Sequence, residues 1–88
     1  MSPITFLRRK QVEVRTGQSR STIYQAIADG TLTRPVSLGA RAVGWPDHEI
    51  DAINRARLAG ADKEALMQLV EKLHQARGAG APTTDQAA

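Results

Sequence analysis

The sequence contains no cysteine. Disulfide frameworks and thiolate metal sites are excluded by that absence, and a reducing cytoplasm suits it. Aromatic residues are nearly missing, with one Trp, one Tyr and one Phe in 88 residues. A core with so few large side chains is thin, and modest stability is expected of it. No apolar run approaches the roughly 20 residues that span a bilayer, so no membrane role is expected. Residues 1–5 are too few and too mixed to read as a signal peptide. A phosphate-cradling glycine loop is also lacking, since the glycines at 30, 39, 44 and 60 read as turns and element ends. His48 and His74 fall on different predicted helices, without acidic or thiol ligands at metal spacing. Ser19 and Ser21 have no base in sequence context, so capping or ligand contact explains them better than nucleophilic catalysis. No catalytic residue, no metal and no cofactor is expected.

What is present is positive charge, unevenly spread. The net charge is +3, but residues 1–44 hold seven Lys/Arg against two Asp/Glu, while residues 45–88 hold five against seven. The front half is therefore at +5 and the back half at −2. A basic surface attracts a phosphate backbone whatever its base sequence. An ordinary solvated basic surface would show the same imbalance.

The basic half contains the stretch on which the chain is organised, Val12 to Gly30. It reads as two short helices joined by a tight turn. Gly17 suits the end of the first helix, because it takes the left-handed conformation without a Cβ penalty. Ser19 suits the start of the second, where its hydroxyl can accept from a free backbone N–H. Ile23 and Ile27 lie four apart beside Ala26 and should be buried, facing Val12 and Thr16 of the first helix. Arg20, Ser21, Tyr24 and Gln25 then face outward, with Thr22 at the edge. Short or flat hydrogen-bonding side chains and a cation suit base edges and phosphates in a DNA major groove. An αα-corner with a polar solvent face would share this geometry.

Downstream, Val36 and Leu38 alternate with Ser37, and Ala42 to Trp45 follow the turn at Gly39-Ala40-Arg41, which predicts a β-hairpin. Trp45-Pro46 opens a third helix, with Pro46 at its first position. Asp47, Glu49 and Asp51 favour its positive end, and Arg55 and Arg57 its negative end. Its buried stripe is expected at Ile50, Ile53 and the stem of Arg57, with Leu58 nearby, and Ala59-Gly60 closes it. Phe6 and Leu7 are expected to anchor the N-terminus to the core.

Three blocks, in this order and spacing, carry a family likeness. They are TGQSRSTIY at Thr16–Tyr24, RPVSLGARAVGW at Arg34–Trp45, and Glu49-Ile50-Asp51. With them, most of the chain resembles the AlpA family of small phage and mobile-element regulators, relatives of MerR-type and excisionase winged helices. The resemblance implies a mainly α fold with a small β-hairpin: a winged helix-turn-helix, here with an additional C-terminal helix. It implies DNA contacts from Ser19, Arg20, Ser21, Thr22, Tyr24 and Gln25, and from Arg41 at the wing tip. Arg9 and Lys10 at the start of the first helix and Arg34 before the wing complete the expected DNA-binding set. Family members often carry leucine where Gln18 stands, so the turn buries less apolar surface or Gln18 reaches DNA. They often carry an aromatic-proline pair where Leu32-Thr33 stands, which predicts a looser approach to the wing.

A fourth helix is expected from Asp62, its cap, to Arg77, stopped by Gly78. Its apolar stripe is Leu66, Leu69, Val70 and Leu73, with Met67 on the flank. A small winged core needs no further helix, so this stripe is assigned to oligomerisation, with packing onto the same chain as the even alternative. The domain reading is 1–60 for the winged core, 61–77 for the amphipathic helix and 78–88 for a disordered tail. The expected partner is double-stranded DNA, with self-association along it and a site-specific integrase beside it, in the cytoplasm at the nucleoid. The expected role is architectural: an excisionase or recombination directionality factor that binds and bends attachment-site DNA. The alternative is a transcriptional regulator at a promoter, such as that of the integrase gene. A protein–protein adaptor working through the fourth helix is the reading from another class.

Overall fold

The computed structural model describes residues 4–79, and the expected tail lies outside the described residues from residue 80 onward. The order of elements is β1 (Phe6–Leu7), α1 (Arg9–Thr16), α2 (Arg20–Asp29), β2 (Val36–Gly39), β3 (Ala42–Pro46), α3 (Asp47–Leu58) and α4 (Lys63–Ala79). It is a winged helix-turn-helix with a C-terminal helix, mostly helical around a small antiparallel sheet. Local chemistry sets the helix ends. The Gln11 side chain reaches back to accept from the Arg8 N–H at 2.8 Å, which holds the first turn of α1. Gly17 follows α1 with φ at 70°, and its N–H donates to the Glu13 carbonyl. The Ser19 hydroxyl accepts from the Thr22 N–H at 3.3 Å and starts α2. At α4 the Asp62 carboxylate accepts from the Ala65 N–H at 2.9 Å.

The sheet has the order β1-β3-β2, so the hairpin β2–β3 gains a third strand that sequence reading took only as an anchor. Phe6 pairs with Pro46 and Leu7 with Trp45. This close pairing explains Gly44, which sits inside β3 and not at a turn as expected. A Cβ there would lie 3.2 Å from the Leu7 carbonyl and 3.2 Å from the Phe6 Cβ. Pro46 ends β3 and precedes the first turn of α3, one residue outside the position expected of it.

One core draws on all four helices and on β1 and β3, while β2 lies outside it. Leu7, Val12, Ile23, Ala26, Leu32, Trp45, Ile50 and Ile53 are buried together with Leu66 and Val70 of α4, while Ile27, Leu69 and Leu73 pack on them half-buried. The Leu66–Leu73 stripe therefore covers the chain's own core, and its assignment to oligomerisation is corrected. The reason is the shortage of large side chains: α1, α2 and α3 leave apolar surface that α4 closes. Thr16 turns its hydroxyl back to the Val12 carbonyl at 2.7 Å. Arg57 is exposed and Leu58 is 90% exposed, so neither joins the buried stripe of α3. The approach to the wing is tight, not loose. Leu32 and Thr33 are fully buried, and the Thr33 carbonyl accepts from the Trp45 indole N–H at 2.9 Å.

Polar contacts fix α4 further. Glu49 of α3 is buried, and Arg77 meets it in a two-pronged ion pair, Nε to Oε2 at 2.8 Å and Nη2 to Oε1 at 2.6 Å. Arg77 Nη2 also donates to the Arg34 carbonyl at 2.6 Å, and the Arg34 N–H donates to His74 Nε2 at 3.1 Å. These contacts need the helix to continue past Arg77, and Gly78, expected as its stop, lies within α4.

Two outcomes test this account. Each fully buried Leu or Val contributes about 1.5–3 kcal/mol, against a total of about 5–15 kcal/mol for a typical domain. Removing residues 62–88 is expected to abolish cooperative thermal unfolding, followed by circular dichroism; a truncated chain with a sharp transition would place α4 outside the core. Arg77→Ala leaves the Glu49 carboxylate uncompensated and should cost about 3 kcal/mol in urea denaturation.

Candidate nucleic-acid interface

The outer face of α2 presents Arg20, Ser21, Tyr24 and Gln25 to solvent, with Thr22 beside them. Arg20 lies over the Tyr24 ring at 5.9 Å, so cation and phenol form one unit. The hydroxyls at the N-terminus of α2 are coupled. Ser19 Oγ is 2.9 Å from Thr22 Oγ1 and 3.4 Å from Ser21 Oγ. Ser19 thus acts as a cap, while Ser21 lies free of the backbone on the open face. Gln25 donates to Asp29 at 3.1 Å along the same face, which fixes which way its amide points.

Two further elements border this face. Arg8, Arg9 and Lys10, at the start of α1, line a concavity of about 330 Å³ together with Tyr24, Arg41 at the wing tip and Val43 of β3. Arg9 is ion-paired with Glu13 one turn along. The β2–β3 register places Arg41 at the tip: Gly39 pairs with Ala42, leaving Ala40 and Arg41 as the loop, and a bulge between Ser37 and Gly39 bends the strand before it. Helix dipoles make this arrangement costly. Cations sit at the positive end of α1, whose first turn holds no acidic residue; Arg9 is paired with Glu13 a turn along, and Arg8 and Lys10 have no such partner there. The first turn of α2 has no acidic residue either. By contrast, α3 carries Asp47 and Glu49 in its first turn and Arg55 and Arg57 in its last. The chain follows the dipole rule away from this face and breaks it on this face. A bound polyanion would reverse the penalty, because phosphates are favoured at both helix N-termini and beside every lining cation.

Arg34 is not brought to this face. It packs against α4, with its backbone held by His74 and Arg77 and its guanidinium 3.3 Å from His74 Nδ1. Gln18 turns to α3, where its amide lies against the Arg57 guanidinium; with the amide oriented oxygen-inward it accepts from Arg57 at 3.0 and 3.2 Å. Asn54 of α3 donates to the Arg15 carbonyl at 2.9 Å, a second tie between α3 and the end of α1.

Residues 5–58 match the family described as prophage CP4-57 regulatory protein (AlpA). The chain belongs to the AlpA family. That family is one of phage regulatory, DNA-binding proteins, and the matched residues hold α1, α2, the wing and α3. The uncharacterised protein ORF88 of Enterobacteria phage P4 is 44% identical to this chain over 55 residues. The alignment covers 62% of this chain and 62% of that relative, so the chain spans less than two-thirds of the relative's length. No solved structure matches the chain.

Sequence reading of this AlpA-family chain passed over Arg8 as a site residue, although it belongs to the same cationic run as Arg9 and Lys10. It also passed over the Glu49–Arg77–His74 cluster, whose members carry no local signal. Among the described residues no helix is long and apolar enough to cross a membrane.

The arrangement separates two kinds of contact. Arg20→Ala and Gln25→Ala, on the outer face of α2, should each weaken binding to a preferred duplex by about 1–3 kcal/mol and relax sequence preference. Arg41→Ala should weaken binding to all duplexes alike and flatten the salt dependence by about one unit of slope. Titrations by fluorescence anisotropy at several salt concentrations read both. Unchanged binding in the two α2 variants would remove that helix from the interface.

Proposed function

We infer that this AlpA-family chain is an architectural DNA-binding protein of the excisionase type. It binds attachment-site DNA of a mobile element and bends it, which lets a site-specific integrase run excision. The observation that carries the reading is the collection of cations at the start of α1 and at the wing tip around one concave face, which Tyr24 of α2 borders with Arg20 stacked on its ring. Such a face fits a curved phosphate backbone, with α2 in the major groove and Arg41 on the flanking strand. Bending a site of about 20–30 base pairs costs on the order of 1–6 kcal/mol, which several charge-assisted phosphate contacts can offset. Small size and a core that uses all four helices leave no separate effector module among the described residues. Copies bound side by side would meet mainly through surfaces other than the Leu66–Leu73 stripe, of which Leu66 and Val70 are buried and Leu69 and Leu73 half-buried.

A second reading is favoured by the family description, which names a regulatory protein. The same face would then occupy a promoter, such as that of the integrase gene. The adaptor reading loses its surface, because the apolar side of α4 is covered.

DNase footprinting across the attachment region and the adjacent promoter separates these readings, run at one stated salt concentration. Several protected sites in helical phase within the attachment region are expected. A single site over the promoter would transfer the assignment to transcriptional control. No protection at either would overturn DNA binding as the function.

A further inference from the structure

A helix that lines no part of the concave face bonds the chain just before the wing. Between α2 and β2 the chain runs through Thr33 and Arg34, and α4 grips both backbone polar groups of one residue. His74 takes the Arg34 N–H at 3.1 Å, and Arg77 gives a hydrogen bond to the Arg34 carbonyl at 2.6 Å. Arg77 is itself fixed by the buried Glu49 carboxylate. Two residues after Arg34 the wing begins at Val36.

The His74 contacts require a neutral ring. Backbone N–H groups only donate, so His74 Nε2 must carry no proton. The Arg34 guanidinium faces Nδ1 at 3.3 Å and also only donates. A neutral imidazole satisfies one of these two contacts; a doubly protonated ring satisfies neither and adds a cation beside two others.

We propose that His74 and Arg77 are positioning residues for the wing, and that protonating His74 releases Arg34, loosens the wing and weakens DNA binding. This rests on the DNA reading above and adds a regulator to the same face. The groups around the ring are Arg34 from the wing approach, Arg77 and Glu71 from α4, and Glu49 from α3. Burial, then Arg34 and Arg77, hold its pKa below the ordinary 6.5, and the carboxylates of Glu49 and Glu71 oppose this without prevailing. The sign follows from linkage. The unfolded chain accepts a proton that the folded chain resists, so the clamp's contribution is full above about pH 6.5 and falls as the pH drops toward the lowered folded value.

Simple electrostatics predicts the opposite for DNA affinity. Acidification adds positive charge and should tighten binding to phosphates. The two accounts therefore differ in sign. The test titrates the full chain, its His74→Gln variant and a His48→Gln control against a labelled duplex of about 30 base pairs from the attachment region, from about pH 7.5 to about pH 5.5. Glutamine keeps an acceptor for the Arg34 N–H and does not titrate in this range. The native chain and the His48→Gln control should lose affinity on acidification, by up to about tenfold per pH unit for one proton. The His74→Gln variant should hold its affinity or gain some. Emission from Trp45, the one tryptophan of the chain, reports on the clamp without DNA, because its indole is bonded to the Thr33 carbonyl next to Arg34. That emission should shift with pH in the native chain and stay constant in His74→Gln, with far-ultraviolet circular dichroism unchanged in both. Native binding that tightens on acidification, or coincident pH profiles for native and His74→Gln chains, would overturn the clamp and leave the DNA reading standing. No binding by the native chain at about pH 7.5 would instead overturn the DNA reading, and the wing-positioning role with it.

Discussion

A carboxylate buried inside so small a protein has to meet a cation, and the way Glu49 meets Arg77 organises much of the rest. Desolvating either charge alone would cost several kcal/mol, and only a geometry that satisfies both oxygens makes the burial tolerable. Arg77 supplies that geometry in two prongs. Its position then fixes the end of α4 against α3, and its remaining donor reaches the Arg34 carbonyl. Apolar packing by Leu66 and Val70 brings α4 to the core. The ion pair decides its axial position and its hold on the chain before the wing. Packing is non-directional, whereas a fork-shaped charge pair admits few registers.

The treatment of helix dipoles divides the molecule in two. On α3 the acidic and basic residues stand where a free helix prefers them, and on α1 and α2 they do not. Such local conflicts with a general rule are expected where function overrides stability. Here the conflict at α1 falls on one concave face, shared by the start of that helix, Tyr24 of α2 and the hairpin tip. In a family of phage regulatory, DNA-binding proteins such a face is a natural candidate for polyanion contact.

The parts that sequence revealed are those governed by neighbours along the chain. The Ser19 cap, the Gly17 turn, the Ile23 and Ala26 face and the loop at Ala40-Arg41 each depend on residues a few positions apart. Interactions between distant residues left no such trace. Glu49 and Arg77 are 28 residues apart, and Arg34 and His74 are 40 apart. β1 was missed because two residues cannot display an alternating pattern. The stripe on α4 was visible as a stripe, but amphipathicity says only that something covers it. For the candidate interface, the outward face of α2 and the hairpin tip were legible as exposed positions, and the structure places Arg8 beside Tyr24 and Arg41. Arg34 was assigned to DNA from its place beside the wing, whereas its surroundings are decided by α4.

The location of the clamp has a temporal consequence. A chain is made from its N-terminus and folds as its parts emerge. The cationic face is complete once residue 43 has been synthesised, yet the helix that closes the core and grips Arg34 comes from Leu66 to Arg77. A nascent chain thus displays the charges of the binding face before it can hold the wing in place. The settled arrangement arrives only after Leu66 to Arg77 have emerged, so the shape of this face depends on residues made well after its charges.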